Sequence, residues 1–269
     1  DTATLQALEA RYPEARSETD LSAVLSDRQV TAAVVATPAP THYAVSKTLL
    51  EHGKDVFVEK PLTLRLSEAE ELVHIAEKHE RVLMVGHLLN YHPAVVTLKR
   101  LVDDGSLGKI SYVYSNRLNL GQFRNEENVM WSFAPHDISV FLYLLGEMPE
   151  KVSTSGGSYL QPGVPDVTVT NFTFGGGVRG HIFVSWLHPY KDHRLVVVGS
   201  KRMAVFDDLR SEAKLTLQEY GVEWVGRVPS PSAGQEQAVA IDPDEPLLLE
   251  CRHFLECIQS RSTPRTSGK

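Results

Sequence analysis

Three short stretches of the chain carry side chains able to do chemistry. Val56-Phe-Val-Glu59-Lys60-Pro61 ends an apolar run with a carboxylate, an amine and a proline. The carboxyl end of a parallel strand is where ligands of open α/β sheets bind, so Lys60 is placed to reach a substrate. A surface lysine following a strand is the other reading of the same spacing. Val34-Val-Ala-Thr37-Pro38 ends an earlier run in a small hydroxyl and a proline, with His42 in the first turn of the helix that follows. That makes a second crevice-facing edge. Trp131-Ser-Phe-Ala-Pro135-His136-Asp137 sets a histidine one residue after a helix-initiating proline. A helix N-terminus favours the neutral imidazole, which can accept a proton; a histidine satisfied within a helix cap is the alternative.

The elements that must position these groups are legible from periodicity. Asp1 caps a helix to Tyr12, Asp20 opens a short one, and Thr31–Thr37 is a continuous β-branched strand. A helix over Thr41–His52 closes at Gly53, a strand covers Asp55–Val58, a capping box Ser67-Glu-Ala-Glu70 opens a helix to His79, and Val82–Val85 is a further strand. Such alternation is the grammar of βαβ units and a parallel sheet. Past about residue 90 the pattern changes. Helices are expected over His92–Asp104 and Pro135–Leu145, among strands at Ile110–Asn116, Val152–Ser155, Val167–Phe174, Val178–Trp186, Arg194–Val198, Met203–Phe206 and Leu215–Gln218. The turn at Gly175–Gly177 is hairpin grammar. The Pro- and Ser-rich stretch Val228–Pro246 reads as an exposed loop, and Pro246–Ser260 as a helix.

The fold class is therefore α/β plus α+β. Residues 1–90 form a Rossmann-type parallel domain, incomplete at its start. Residues 91–269 form a second domain on a mostly antiparallel open sheet, with the last helix expected to pack back on the first domain.

Composition bounds the function. With 269 residues, 42% hydrophobic and 23% charged, two ordinary globular domains are expected. A net charge of −7 excludes a surface built to neutralise nucleic-acid phosphates, and no apolar run reaches the roughly 20 residues of a membrane span. Cys251 and Cys257 lie on one expected helix about 9 Å apart, too badly aimed for a disulfide, and reduced thiols fit a cytoplasmic protein. His87, His92 and His193 show no metal-ligand spacing with carboxylates, so no metal is expected.

Taken together, Ala36-Thr37-Pro38 with His42, Gly53-Lys-Asp-Val56 running into Glu59-Lys60-Pro61, Val85-Gly86-His87, Asp104-Gly-Ser-Leu-Gly108 and Ala134-Pro-His136-Asp137 resemble the glucose-fructose oxidoreductase/inositol dehydrogenase/MocA family of NAD(P)-dependent sugar oxidoreductases. The resemblance runs over nearly the whole chain. Arg117-Leu-Asn119-Leu-Gly121, Arg124, Asn128 and Trp131–Asp137 are most similar to bacterial members that oxidise C3 of UDP-N-acetylglucosaminuronic acid for surface polysaccharides.

By that resemblance, Thr37, Pro38, His42, Glu59, Lys60, Pro61 and His87 line an NAD or NADP site, and Lys60 and His136 are catalytic. Oxidising a secondary alcohol needs one group to take the hydroxyl proton and another to stabilise the alkoxide; either residue can fill either role. Lys60, His136, Arg117, Asn119, Arg124 and Asn128 would meet the substrate, guanidinium forks matching carboxylate or diphosphate oxygens. A solvated charged loop is the other reading of those Arg and Asn residues. The resemblance also implies a homodimer or homotetramer. A cyclitol or simple-sugar dehydrogenase, or a catalytically silent sugar-nucleotide-binding relative, are the alternatives.

Two departures from the family pattern stand out. No Gly-x-Gly-x-x-Gly turn is present, so the chain is expected to start roughly 30 residues into the fold, to stop short at Pro264–Lys269, and to bind dinucleotide poorly as it stands. Ser132 occupies the position four before His136 where many members carry Asp.

Overall fold

The computed structural model describes residues 2–121, 123 and 127–269. The chain falls into two compact units, one of residues up to Val85 with Glu256–Lys269, the other Gly86–Leu255.

The first unit runs α1 (Thr2–Arg11), α2 (Leu21–Ser26), β1 (Ala32–Val35), α3 (Ala39–Glu51), β2 (Asp55–Glu59), α4 (Leu66–Lys78) and β3 (Leu83–Gly86). The strands form a Rossmann-type sheet in the order β1-β2-β3, with β1 and β2 parallel from Ala32↔Asp55 to Val35↔Val58. Val56, Phe57 and Val58 are all buried, as a strand covered on both faces requires. Val35, Val56 and Val58 share a core with Leu49 and Leu50 of α3 and Leu72 of α4, each such side chain contributing about 1.5–3 kcal/mol. Asp55, fully buried, accepts from Val82 N at 2.8 Å and from Arg261 Nη1 at 2.8 and 2.9 Å. That pair ties the C-terminal segment to the sheet.

Asp20 caps α2 by accepting from Ser22 N, whereas the cap expected of Asp1 lies outside the described residues. The capping box at Ser67 does not form. Thr63 Oγ1 donates to the Arg65 carbonyl at 2.7 Å and starts α4 at Leu66, with Arg65 in the cap position and no side-chain cap.

The second unit contains α5 (Pro93–Asp103), β4 (Ile110–Leu120), α6 (Val129–Leu145), β5 (Lys151–Gly157), β6 (Val167–Thr173), β7 (Arg179–Ser185), β8 (Leu187–Gly199), β9 (Arg202–Asp207), β10 (Leu215–Val225) and β11 (Val228–Ala238). Helix α7 (Pro246–Ser260) begins in this unit and ends in the first. The eight strands lie in the order β11-β10-β9-β8-β4-β7-β6-β5. Pairing is antiparallel except for β4 with β7. Val140, Phe141 and Leu144 of α6 pack on Phe172, Ile182 and Val184 in the main core.

The expected loop from Val228 is in fact the edge strand β11. Prolines are tolerated there because an edge strand leaves one row of N–H positions unpaired. Pro229 and Pro231 are two residues apart, on the same side of the strand, opposite Trp224 and Val222 in register. Because β9 pairs with β10 only as far as Glu219, the hairpin beyond it is a two-stranded arm. No helix among the described residues is long and apolar enough to cross a membrane.

Candidate active site

In the first unit, the carboxyl ends of β1 and β2 bring six predicted residues together, Thr37, Pro38, His42, Glu59, Lys60 and Pro61. Thr37 and Pro38 follow β1, and Pro38 is the cap residue of α3. Thr41 Oγ1 lies 2.7 Å from Thr37 Oγ1 and 2.8 Å from the Pro38 carbonyl, fixing the first turn of α3. His42, only 1% exposed, sets Nε2 2.7 Å from the Thr37 carbonyl and Nδ1 2.7 Å from the Pro61 carbonyl. Its ring therefore locks the two strand ends to each other through the main chain. Glu59 accepts from Lys60 N at 3.2 Å, and the Lys60–Pro61 peptide is cis. Lys60 is half-buried at this edge.

These residues fit part of a dinucleotide site. Thr37 and Pro38 are exposed and Glu59, Lys60 and Pro61 half-buried along one carboxyl edge, the side of a parallel sheet that takes ligands. Among the described residues, no glycine with positive φ sits between a parallel strand and the helix after it. The fit rests on the β1 and β2 edge.

In the second unit, the surroundings of His136 differ from expectation. Asn128 Oδ1 accepts from Trp131 N at 3.1 Å, so α6 starts at Val129 and Pro135 lies inside it. His136 is two turns into the helix, and the dipole argument for a neutral ring at a helix N-terminus does not apply. Asn128, predicted to meet substrate, is that cap. Ser139 Oγ donates to the His136 carbonyl at 2.8 Å. His87 follows β3, and its carbonyl accepts from Asn90 N at 2.9 Å.

Arg117 and Asn119, expected in a segment after the strand, lie on β4 itself. Arg117 Nε donates to Asp137 Oδ2 at 2.8 Å and Nη2 to Oδ1 at 3.1 Å, and Ser115 Oγ donates to Oδ1 at 2.6 Å. Asn119 Oδ1 is buried and has no hydrogen-bond partner among the described residues. Arg124 lies outside the described residues.

Beside this ion pair is a small cleft where Ser115, Arg117, Asp137, His193 and Asp208 meet apolar side chains including Leu89, Val140 and Phe206. Burial pushes the His193 ring below its usual value, and the nearby Arg117 charge adds to the effect. Burial also lowers His92, which accepts from Ala94 N at the start of α5 and lies 3.7 Å from Asp208. Among the described residues, no three His, Cys, Asp or Glu side chains gather as a metal site.

Asp137 carries no role in the sequence motif beyond following His136. The signal was present, since Val113, Ser115 and Arg117 alternate with period two and Val113 is a core residue. That pattern puts Arg117 on the face turned to α6.

A family model described as the oxidoreductase family with NAD-binding Rossmann fold matches residues 1–87. The GFO/IDH/MocA C-terminal domain matches residues 95–205. The chain is 28% identical over 200 residues to 2,7-anhydro-N-acetylneuraminate hydratase of Mediterraneibacter gnavus, covering 68% of this chain and 53% of that protein. It is 28% identical over 258 residues to scyllo-inositol 2-dehydrogenase (NAD(+)) of Bacillus subtilis, covering 90% and 71%. The chain thus spans about half the length of the first relative and under three quarters of the second. The solved structure of UDP-N-acetylglucosamine 3-dehydrogenase from Acidithiobacillus ferrooxidans superimposes with a TM-score of 0.83 at 25% identity, over 97% of this chain and 80% of that one.

Proposed function

The chain belongs to the GFO/IDH/MocA family of NAD-binding sugar oxidoreductases, and from that membership we propose that it oxidises a hydroxyl of a UDP-linked N-acetyl sugar, at C3 of the hexuronic acid, with NAD or NADP. The observation that carries the reading is the Glu59-Lys60-Pro61 motif at the carboxyl end of β2, where an amine can meet a ligand on a parallel edge. The likeness to UDP-N-acetylglucosamine 3-dehydrogenase supports the nucleotide-sugar class.

When bound, the nicotinamide supplies a hydride acceptor. The chain's own contribution is proton handling: His136 takes the hydroxyl proton and Lys60 holds the developing alkoxide charge. Thr37, Pro38, Glu59 and Pro61 would contact the cofactor, with His42 fixing their strand ends and His87 assigned to the same ligand. For the substrate, Asn119 offers a buried amide oxygen without a partner among the described residues, and Arg124 is assigned to the acidic or diphosphate oxygens. The chain is further proposed to self-associate as a dimer or tetramer.

A second reading, cyclitol oxidation, is favoured by the match to scyllo-inositol 2-dehydrogenase over 90% of the chain. Initial rates with NAD and either UDP-N-acetylglucosaminuronic acid or scyllo-inositol separate the two. NADH formation with the nucleotide sugar alone is expected; NADH from the cyclitol alone overturns the first reading.

A further inference from the structure

We propose that Arg117 is a positioning residue that fixes the catalytic turn of α6 through Asp137, and not a contact for the substrate. The inference rests on the assignment of His136 as the proton-transfer group.

Pro135 has no N–H to give the carbonyl of residue 131, and its ring crowds that carbonyl. The backbone ladder of α6 is thus interrupted one residue before His136. A ring that must meet a hydroxyl within a few tenths of an ångström needs firmer support than an interrupted turn supplies.

That support comes one residue after the histidine. The Arg117 fork holds both oxygens of Asp137, at 2.8 and 3.1 Å, and Ser115 fills a further lone pair at 2.6 Å. Side-chain exposures are 14% for Arg117 and 4% for Asp137. The guanidinium is committed: a substrate carboxylate would have to displace a buried counterion whose loss leaves Asp137 desolvated and unpaired, a costly exchange. Ser115 and Arg117 project from β4, the strand at the centre of the sheet, paired with β7 and β8 on either side. Asp137 thereby anchors α6 to the part of the unit least able to move. Ser139, on the far side of His136, bonds the His136 carbonyl and approaches Asn90 Oδ1 at 3.4 Å, so the turn is held on both sides of the imidazole.

A generic core ion pair would stabilise the fold without setting the imidazole. The test therefore reads the ring directly. Wild-type protein, Arg117→Met and Asp137→Asn are compared by the pH titration of histidine Cε1–H resonances and by steady-state rates with NAD and UDP-N-acetylglucosaminuronic acid. Asp137→Asn keeps the size of the side chain and its bond from Ser115, so it remains informative if Arg117→Met does not fold.

The expected result is a displaced His136 titration in each folded variant, with His74 on α4 unchanged. With it go a fall in kcat of at least about tenfold, KM within about twofold, and partial recovery in Arg117→Lys. An unmoved His136 resonance, or a raised KM at unchanged kcat, overturns the proposal. If His136→Gln turns over like the parent, the assignment of the reaction to His136 fails, while the resonance comparison still reports whether Arg117 sets that ring.

Discussion

His42 Nδ1 lies 2.7 Å from the carbonyl oxygen of Pro61, nineteen residues further along the chain. With Nε2 at the same distance from the Thr37 carbonyl, one buried ring connects the ends of two parallel strands. A residue that looked like a ligand contact in sequence is thus spent on main chain, and the loop holding Lys60 depends on it. A neutral imidazole has one N–H to donate, so replacing it by alanine strands one carbonyl acceptor, at about 1–3 kcal/mol when left unsatisfied. His42→Ala is therefore expected to lower stability by about 1–3 kcal/mol, measured as the urea midpoint with m unchanged. A midpoint equal to the parent's would show that water replaces the ring without loss.

Lys60→Ala and His136→Ala address the chemistry. Removing a proton-transfer group is expected to cut kcat by about 10²–10⁴-fold, with binding of the nucleotide sugar, followed by calorimetry, little changed. The pH profile then divides the roles: loss of the acidic limb in the His136 variant assigns it the proton-accepting role. Full turnover in both variants would remove these two residues from the mechanism.

Acid should weaken the second unit before its carboxylates titrate. His92 and His193 are both depressed by burial, with Lys214 and Arg117 respectively adding repulsion and Asp208 opposing it in both. The unfolded chain, with histidines near about 6.5, binds more protons than the folded one in this range. Stability is accordingly complete above that value and falls as pH drops through it toward the depressed folded values. Unfolding midpoints at pH 7.5 and 5.5 measure this, and His193→Gln should flatten the slope. A midpoint that rises on acidification would mean that the Asp208 attraction outweighs burial.

Much of this architecture was legible in residue order. The strand at Asp55 and the helix at Pro246 are local signals, set by β-branched runs and by proline at a first turn, and both stand where periodicity put them. What escaped were features decided by distant partners. Whether Pro135 starts a helix or sits inside one depends on Asn128 as a cap seven residues earlier. Whether Pro229 and Pro231 end a strand or edge one depends on β10 being there to pair. Arg117 reads as a substrate fork until Asp137 is known to face it. The types of the candidate groups were readable, but not which of them were already spoken for within the protein.

Arg261 offers a test of how the C-terminal segment is held. Its partner Asp55 is fully buried, while the Arg261 side chain is 48% exposed, so water screens part of the pair. Arg261→Ala leaves Asp55 with its Val82 N–H bond but without a counterion. The expected cost is about 2–3 kcal/mol, below the 3–5 typical of a wholly buried pair. Hydrogen exchange should quicken at Val85 N, which bonds the Thr266 carbonyl. Unchanged protection there would mean that Thr266 holds the segment without Arg261.

The arm of β10 and β11 is where proposed self-association can be tested without touching the site. Val222 and Trp224 lie on one face, with Pro231 and Pro229 opposite them in register, and Trp224 is 68% exposed. A two-stranded hairpin is marginal alone in water, and an exposed apolar face on it costs solubility unless something covers it. The two prolines deny a further strand part of its ladder, so a partner would have to cover the face and not extend the edge. Trp224→Glu puts a charge on that face. Sedimentation velocity is expected to show the parent as a dimer or tetramer and the variant shifted to smaller species, with thermal midpoint becoming less dependent on concentration. An oligomer of unchanged size in the variant would remove the arm from the interface.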